Sequence, residues 1–402
     1  MACLGREIRE GLLPVLGGFG NPYGWGKDLS EELMARCGLC GKKGNQISQA
    51  IGYCGLCIKE HFQEIWPRIS LVHQKSRRAN GFPPEPPREQ EGVECKICMH
   101  GCSIPEGGIG YCGIRSCRGG RLVGGRPHEG RLSWYKDPLP TNCVADWVCP
   151  GGTGCGYPIY ARTRKAERGW FNLAVFYHCC SFNCLFCQNH HYKDLVFSGS
   201  QKKASDLARA VDERTGCICF FGGDPAAQVL HALCASKLAL KAREGELLRI
   251  CWETNGSLKE PFLSRMAELS LKSGGCIKVD LKAWNDGIHH VLCGVSNRHT
   301  LESFKRLASW IPLRPEPPLL VASTLLVPGY VDPEEVESLA VFIKELDPEI
   351  PYTLLAFSPQ FWLRDLPRTS KEHANQCLEA AKSAGLRRVR LSNLHLLGPK
   401  YE

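Results

Sequence analysis

Long hydrophobic runs are missing from this chain. No stretch of eighteen or more apolar residues occurs, so the sequence offers no membrane-spanning helix and no membrane partner is expected. The short apolar stretch Gly11–Phe19 is glycine-rich and follows acidic residues, which is not the architecture of a signal peptide. Blocks of one charge sign are missing too. The net charge is +9 over 402 residues, but lysine and arginine are scattered, so charge gives little reason to expect nucleic acid. Hydrophobic and charged fractions of 43% and 23% are those of a globular protein, long enough for one large α/β domain and a smaller appendage. A cytoplasmic location is the expectation.

Cysteine, by contrast, is abundant: 24 residues, of which 17 lie between Cys3 and Cys187, many in Cys-x2-Cys pairs. In a long chain with no targeting segment this points to metal ligation in a reducing compartment rather than to disulfides. The densest signal is Cys180-Ser-Phe-Asn-Cys184-Leu-Phe-Cys187, directly after the apolar run Phe171–Tyr177. Three thiolates in one tight loop can hold three corners of an iron–sulfur cube and leave the fourth iron without a protein ligand. A zinc knuckle is the alternative for soft thiolates. Cys179 could exchange register with Cys180, but only Cys180 gives the spacing of three and then two residues.

Two further groups precede this loop. Cys37, Cys40, Cys54 and Cys57 form two knuckles separated by thirteen residues, a zinc-ribbon pattern for which an auxiliary iron–sulfur cluster is the competitor. Cys95, Cys98, Cys102 and Cys112, with glycines at 107, 108 and 110 for tight turns, suffice for one zinc ion or one [4Fe–4S] cluster, and spacing does not separate the two. Cys117, Cys143, Cys149 and Cys155 follow in a glycine- and proline-rich stretch, as ligands or as buried thiols.

From Trp170 the pattern becomes apolar runs alternating with amphipathic segments. Strands are expected at Phe171–Tyr177, Cys217–Phe221, Leu248–Glu253, Cys276–Leu281, Leu319–Leu326 and Tyr352–Phe357, with Arg387–Leu391 as a further strand. Helices are expected at Ser205–Arg214, Ala226–Glu244, Lys259–Lys272, Thr300–Trp310, Asp332–Leu346 and Ser370–Ala384, and earlier at Leu29–Arg36 and Glu60–Val72. Ser257-x-x-Glu260 and Thr369-x-x-Glu372 fit capping boxes, and Asp332-Pro333 fits a cap followed by an N1 proline. Such alternation implies parallel strands with right-handed crossovers. Domain boundaries are expected at 1–76 (zinc-ribbon-like module), 77–93 (proline-rich linker), 94–169 (second cysteine-rich region) and 170–402 (α/β domain).

The triad, with Phe186 before its last cysteine, resembles the signature of the radical S-adenosylmethionine (radical SAM) superfamily. Taken with the block at Cys95–Cys112 and with Gln188-Asn189, the stretch from about Cys95 to Gly398 resembles its AmmeMemoRadiSam-type, pyruvate-formate-lyase-activating-enzyme-like members. The segment Cys143–Cys155 is an insertion relative to that pattern. The resemblance implies a partial (β/α)6 barrel and a [4Fe–4S] cluster on Cys180, Cys184 and Cys187. It also implies S-adenosylmethionine (SAM) on the open iron, cleaved reductively to a 5′-deoxyadenosyl radical that takes a hydrogen atom from a substrate. It places Gly222, Gly223 and Asp224 at the cofactor's amino group and Lys282 at its carboxylate, with Asp280 toward substrate.

Strand-end position adds Glu253 and Asn255 as acceptors for ribose hydroxyls or the cofactor's charged end, and Gly294-Val-Ser296-Asn297, after the next turn, resembles a cofactor- or substrate-side loop. A low-potential donor of ferredoxin or flavodoxin type, an anaerobic host and a protein or RNA substrate go with this reading. The alternatives are a glycyl-radical-enzyme activase and a non-catalytic iron–sulfur or zinc scaffold. No cobalamin-binding module is added, which speaks against methyl transfer. His190, His191 and His395 read as structural.

Overall fold

Runs such as Phe171–Tyr177 and Thr215–Gly222 are buried on nearly every residue, as strands covered on both faces must be. The computed structural model of the chain describes residues 34–141 and 143–401. In chain order the main elements are helix α1 (Gly55–Arg78), strands β1 (Glu129–Pro138) and β2 (Phe171–Tyr177), helix α2 (Tyr192–Ser198), strand β3 (Gln201–Lys203) and helix α3 (Ala204–Arg209). There follow β4 (Thr215–Gly222), α4 (Val229–Ala242), β5 (Arg249–Thr254), α5 (Phe262–Ser273), β6 (Ile277–Asp280), α6 (Asp286–Cys293) and α7 (Arg298–Ala308). The chain ends through β7 (Leu320–Leu326), α8 (Pro333–Leu346), β8 (Tyr352–Ala356), α9 (Lys371–Ser383) and β9 (Val389–Ser392).

These strands make one nine-stranded sheet in the order β9-β8-β7-β6-β5-β4-β2-β1-β3. Strands β2 and β4 through β9 are parallel, and β1 pairs antiparallel with β2 and β3. The expected partial barrel is therefore present with seven parallel strands, the seventh being the one anticipated near 387–391. Side chains alternate between the two faces. Phe220 and Trp252, in register on β4 and β5, stack on one face at 4.7 Å, while Phe221 and Glu253 line a pocket on the other.

Several local expectations shift for identifiable reasons. Asp332 caps α8 as expected, accepting from Glu335 N at 2.9 Å. The Ser257 box does not form: α5 begins at Phe262, and the Ser257 hydroxyl bonds that of Ser181 at 2.7 Å. Ser370, not Thr369, caps α9, because the Thr369 hydroxyl donates to Leu326 O and accepts from Phe357 N, closing the ends of β7 and β8. Helix α4 begins three residues late because Asp224-Pro225 opens a 3₁₀ turn over Pro225–Gln228. Helix α6 was not anticipated; Asn285 caps it by accepting from Ile288 N. Helix α1, kinked at His61, spans Gly55–Arg78 and runs through Pro67, well beyond Glu60–Val72. Of the expected helix Leu29–Arg36, residues 29–33 lie outside the described residues, as does Gly11–Phe19, and Ala35–Arg36 is a short strand paired with Lys43–Gly44. Among the described residues no helix is long and apolar enough to cross a membrane.

The stretch between β1 and β2 plugs the N-terminal ends of the parallel strands. Ala145 and Val148 pack on Cys276 and Val321, and Trp147 Nε1 donates to Thr353 Oγ1 at 3.1 Å. Its far end is tied by an ion pair between Glu167 and Arg249, 0% and 1% exposed, with Arg249 Nη1 at 2.8 Å from Glu167 Oε1. Burial works against the Glu167 carboxylate, but Arg249 holds it below the ordinary carboxylate range. Removing one partner of such a pair strands the other charge. Glu167→Gln is therefore expected to lower unfolding free energy by about 3–5 kcal/mol, measured by urea unfolding at neutral pH. A depressed carboxylate contributes above its unfolded value and loses that contribution as pH falls, so the difference from the native chain should shrink below about pH 4.

Candidate functional site

Three thiols of one loop meet at the C-terminal ends of the parallel strands. Cys180, Cys184 and Cys187 line a single pocket with Gly222, Gly223, Asp224, Glu253, Asn255, Asp280 and Lys282, residues that close β4, β5 and β6 or follow them directly. The loop leaves β2 and is fastened by its backbone: Asn183 N donates to Cys293 O at 3.0 Å and Leu185 N to Leu292 O at 2.9 Å, so it rests on the C-terminal end of α6. Cys179 is turned away and wholly buried, accepting from Gln228 Nε2 at 3.3 Å. Burial pushes the Cys180 and Cys187 thiols up, the latter to about 11, while the Cys293 thiol draws that of Cys184 down.

The glycines serve the protein's own backbone. Gly222 has φ +104°, and a Cβ on Gly223 would lie 1.9 Å from the carbonyl oxygen of Cys179. The loop after β4 thus sits directly against the three-cysteine loop, and Asn189 Nδ2 donates to Gly222 O across the same seam at 3.2 Å. Asp224 is buried, and its carboxylate accepts from Ala226 N, Asn255 N and Thr254 Oγ1 at 2.7, 2.7 and 3.1 Å. It staples the ends of β4 and β5 together; burial raises its carboxyl to about 6 in spite of these bonds.

Around this staple the remaining charges are paired. Asn255 Nδ2 lies 3.1 Å from Ser181 Oγ and 3.6 Å from Cys180 Sγ. Lys282 Nζ donates to Asp280 Oδ2 at 2.8 Å, and Ser323 Oγ to Asp280 Oδ1 at 2.7 Å. Burial opposes the Lys282 charge, but Asp280 and the Cys184 and Cys293 thiols raise its pKa. Glu253 is held from below by Lys278, Nζ to Oε1 at 3.0 Å, and that ammonium also meets Cys143 Sγ and Cys219 Sγ at 3.1 and 3.0 Å. Ser296 is not brought to the pocket: its hydroxyl donates to Asp286 Oδ1 at 2.7 Å, at the start of α6.

The other cysteines separate into groups. The sulfurs of Cys37, Cys40, Cys54 and Cys57 all lie within 4.8 Å of one another, with Cys40 and Cys54 3.8 Å apart. A zinc ion with thiolates at about 2.3 Å sets tetrahedral edges of about 3.8 Å, so these four residues fit a single ion. Burial pushes Cys37 up, but amide hydrogen bonds, chiefly from Cys54, outweigh it and bring the thiol down to about 6. Cys95, Cys98, Cys102 and Cys112 surround a second, largely apolar cavity with His100, Tyr111 and Arg115, beside the pocket: His100 Nε2 lies 2.5 Å from Ser181 O. Cys149 caps a helical turn by accepting from Gly152 N, Cys155 donates to Glu316, and Cys117 to Glu106. Sequence reasoning missed Lys278, a lysine inside the apolar run Ile277–Val279. It also missed His73, Arg77 and Lys193, which sit behind the three-cysteine loop.

The donor set of the pocket is that of an iron–sulfur cluster held at three corners, with paired charges available for a zwitterionic ligand. Comparison with known proteins agrees. Residues 174–343 match the model of the Radical SAM superfamily. The chain is 28% identical over 171 residues to the pyruvate formate-lyase 1-activating enzyme of Escherichia coli K12, covering 40% of this chain and 63% of that one. It is 25% identical over 173 residues to the isethionate sulfite-lyase activating enzyme of Oleidesulfovibrio alaskensis, covering 41% and 52%. A domain of a pyruvate-formate lyase-activating enzyme from Bacteroides vulgatus superposes with a TM-score of 0.36 at 20% identity, over 44% of this chain and 99% of that one. The alignments thus span less than two thirds of the curated relatives. Residues 174–343 thus form a domain of the radical SAM superfamily, similar to that of pyruvate formate-lyase-activating enzymes, and that superfamily implies a [4Fe–4S] cluster and SAM.

Proposed function

We propose that Cys180, Cys184 and Cys187 hold the [4Fe–4S] cluster and that the enzyme acts on a protein, as an activase-like generator of a substrate radical. The observation that carries this reading is the convergence of three thiols from one loop on a pocket whose rim is built from successive strand ends. When bound, cluster and cofactor together supply reductive cleavage of the sulfonium to a 5′-deoxyadenosyl radical.

The chain's own residues orient and enclose. Lys282, which donates to Asp280, would take the cofactor carboxylate, and the backbone after Gly222 would take its ammonium. Glu253, fixed by Lys278, would take ribose hydroxyls, while Asn255 steadies Cys180. Phe182, Phe186, Tyr192, Phe221, Leu325 and Leu355 wall the pocket and keep water from a radical. The protein substrate is supported by the names of the curated relatives, which activate other enzymes. A ferredoxin- or flavodoxin-type donor in the cytoplasm completes the reaction.

The four N-terminal thiols would hold zinc, as their close approach favours. The four at 95–112, spread around a cavity, would hold an auxiliary iron–sulfur cluster. Anaerobically reconstituted protein with dithionite and SAM is expected to release 5′-deoxyadenosine, measured by liquid chromatography, and Cys184→Ala to release none. A reducible cluster that yields no nucleoside would contradict the assignment. For the N-terminal group, Cys54→Ser should lose about one zinc per chain by elemental analysis with the iron content unchanged; retention of zinc would count against it.

A further inference from the structure

Two cations are buried behind the three-cysteine loop without an acid to neutralise them. Arg77 is 1% exposed and Lys193 2%, and among the described residues neither has a carboxylate within 4.0 Å. Arg77, in the last turn of α1, spends its guanidinium on backbone carbonyls: Nε donates to Pro83 O at 2.6 Å and Nη2 to Tyr111 O, with the group 3.3 Å from the centre of the Tyr111 ring. Lys193, near the start of α2, donates from Nζ to Asn183 Oδ1 at 2.8 Å and otherwise faces the rings of Phe82, Tyr192 and Phe361. Asn183 lies within the three-cysteine loop. Its Nδ2 is 3.1 Å from Nδ1 of His73, whose Nε2 bonds Val291 O at 3.1 Å. Burial, and then Arg77 beside it, pull the Lys193 pKa down to about 8, while the Cys187, Cys180 and Cys184 thiols act in the opposite direction.

Burying an ammonium without an anion costs several kcal/mol, and placing a second cation near it costs more. Lys278, the other buried lysine among the described residues, is paired with Glu253, whereas the buried arginines divide: Arg249 is paired with Glu167, and Arg115 and Arg314, like Arg77, are held by backbone carbonyls. Lys193 does not line the pocket, so it is placed to act through space on what the three thiols hold rather than to touch a ligand. A thiolate-bound iron–sulfur cluster is anionic and gains one more negative charge when it takes up an electron; nearby positive charge favours that gain.

We propose that Arg77 and Lys193 are the buried countercharge of the cluster on Cys180, Cys184 and Cys187 and that they raise its reduction potential. The proposal rests on the cluster assignment above. Through α1, which begins next to Cys54 and carries Arg77 in its last turn, it makes the N-terminal module part of the redox site rather than an appendage.

Because Arg77 also ties Pro83 to Tyr111, Lys193 carries the test. Full-length chain is reconstituted anaerobically, iron and sulfide are counted, and the potential is read by a redox titration followed by electron paramagnetic resonance (EPR). Lys193→Met is expected to shift the potential of the three-cysteine cluster to a more negative value, and Lys193→Arg, which keeps the charge, to restore it toward that of the native chain. An unchanged potential in Lys193→Met at full iron and sulfide overturns the proposal, as does an equal shift in both variants, which would mean packing alone. A native chain that binds no cluster at the three cysteines overturns the cluster assignment together with the proposal. In the cluster-free chain, Lys193→Met should raise the melting temperature by removing an unneutralised charge; a fall overturns the proposal.

Discussion

The backbone of residues 178–187 is the constraint on which the pocket depends. It must present three sulfurs on one side while amides on the other are fastened to the fold, because unpaired buried amides are costly. The partners come from far along the chain: Arg131 receives the His178 amide, and Leu292 and Cys293 receive those of Leu185 and Asn183. Gly223 N in turn donates to Tyr177 O at 2.9 Å. The loop is therefore built by β1, α6 and the turn after β4 together, and none of these could be displaced without moving a sulfur.

A second regularity follows from burial. Polar groups at the strand ends are almost all paired before any ligand arrives, with Asp224 stapling β4 to β5, Asp280 held by Lys282 and Ser323, and Glu253 held by Lys278. Paired groups are pre-oriented, so a ligand that exchanges for one partner meets a fixed geometry instead of ordering loose side chains. Lys193 departs from this pattern as a buried lysine with no carboxylate beside it, and its position behind the loop makes that departure informative.

The parallel core was legible because its strands are long apolar runs spaced by helical segments, and the strand-end residues could be placed from alternation alone. The same logic put Asp280 and Lys282 on one face, where they form an ion pair. What escaped were groups whose role comes from contacts distant in sequence. Lys278 read as an interruption of a strand, α6 as a loop too short to carry a periodic signal, and Arg77 as the start of a proline-rich linker. Ser296 looked like a pocket residue because it followed a turn, but the fold turned it to Asp286. Helix caps at Ser257 and Thr369 failed for a similar reason, since a hydroxyl that can cap a helix can equally bridge two strand ends. The glycines at 222 and 223 were read as room for a ligand; both line the pocket, and Gly223 also makes room for the carbonyl of Cys179.

Three thiols on a four-iron cluster would leave one iron open for the cofactor. That open iron is tested most directly by the EPR spectrum of the dithionite-reduced protein, recorded with and without SAM on a variant in which Cys95, Cys98, Cys102 and Cys112 are replaced by serine. A change in the g-values of the cluster on adding SAM is the predicted result, because a cofactor bound to the iron itself would alter its electronic environment. A cluster signal that SAM leaves unchanged would contradict the account.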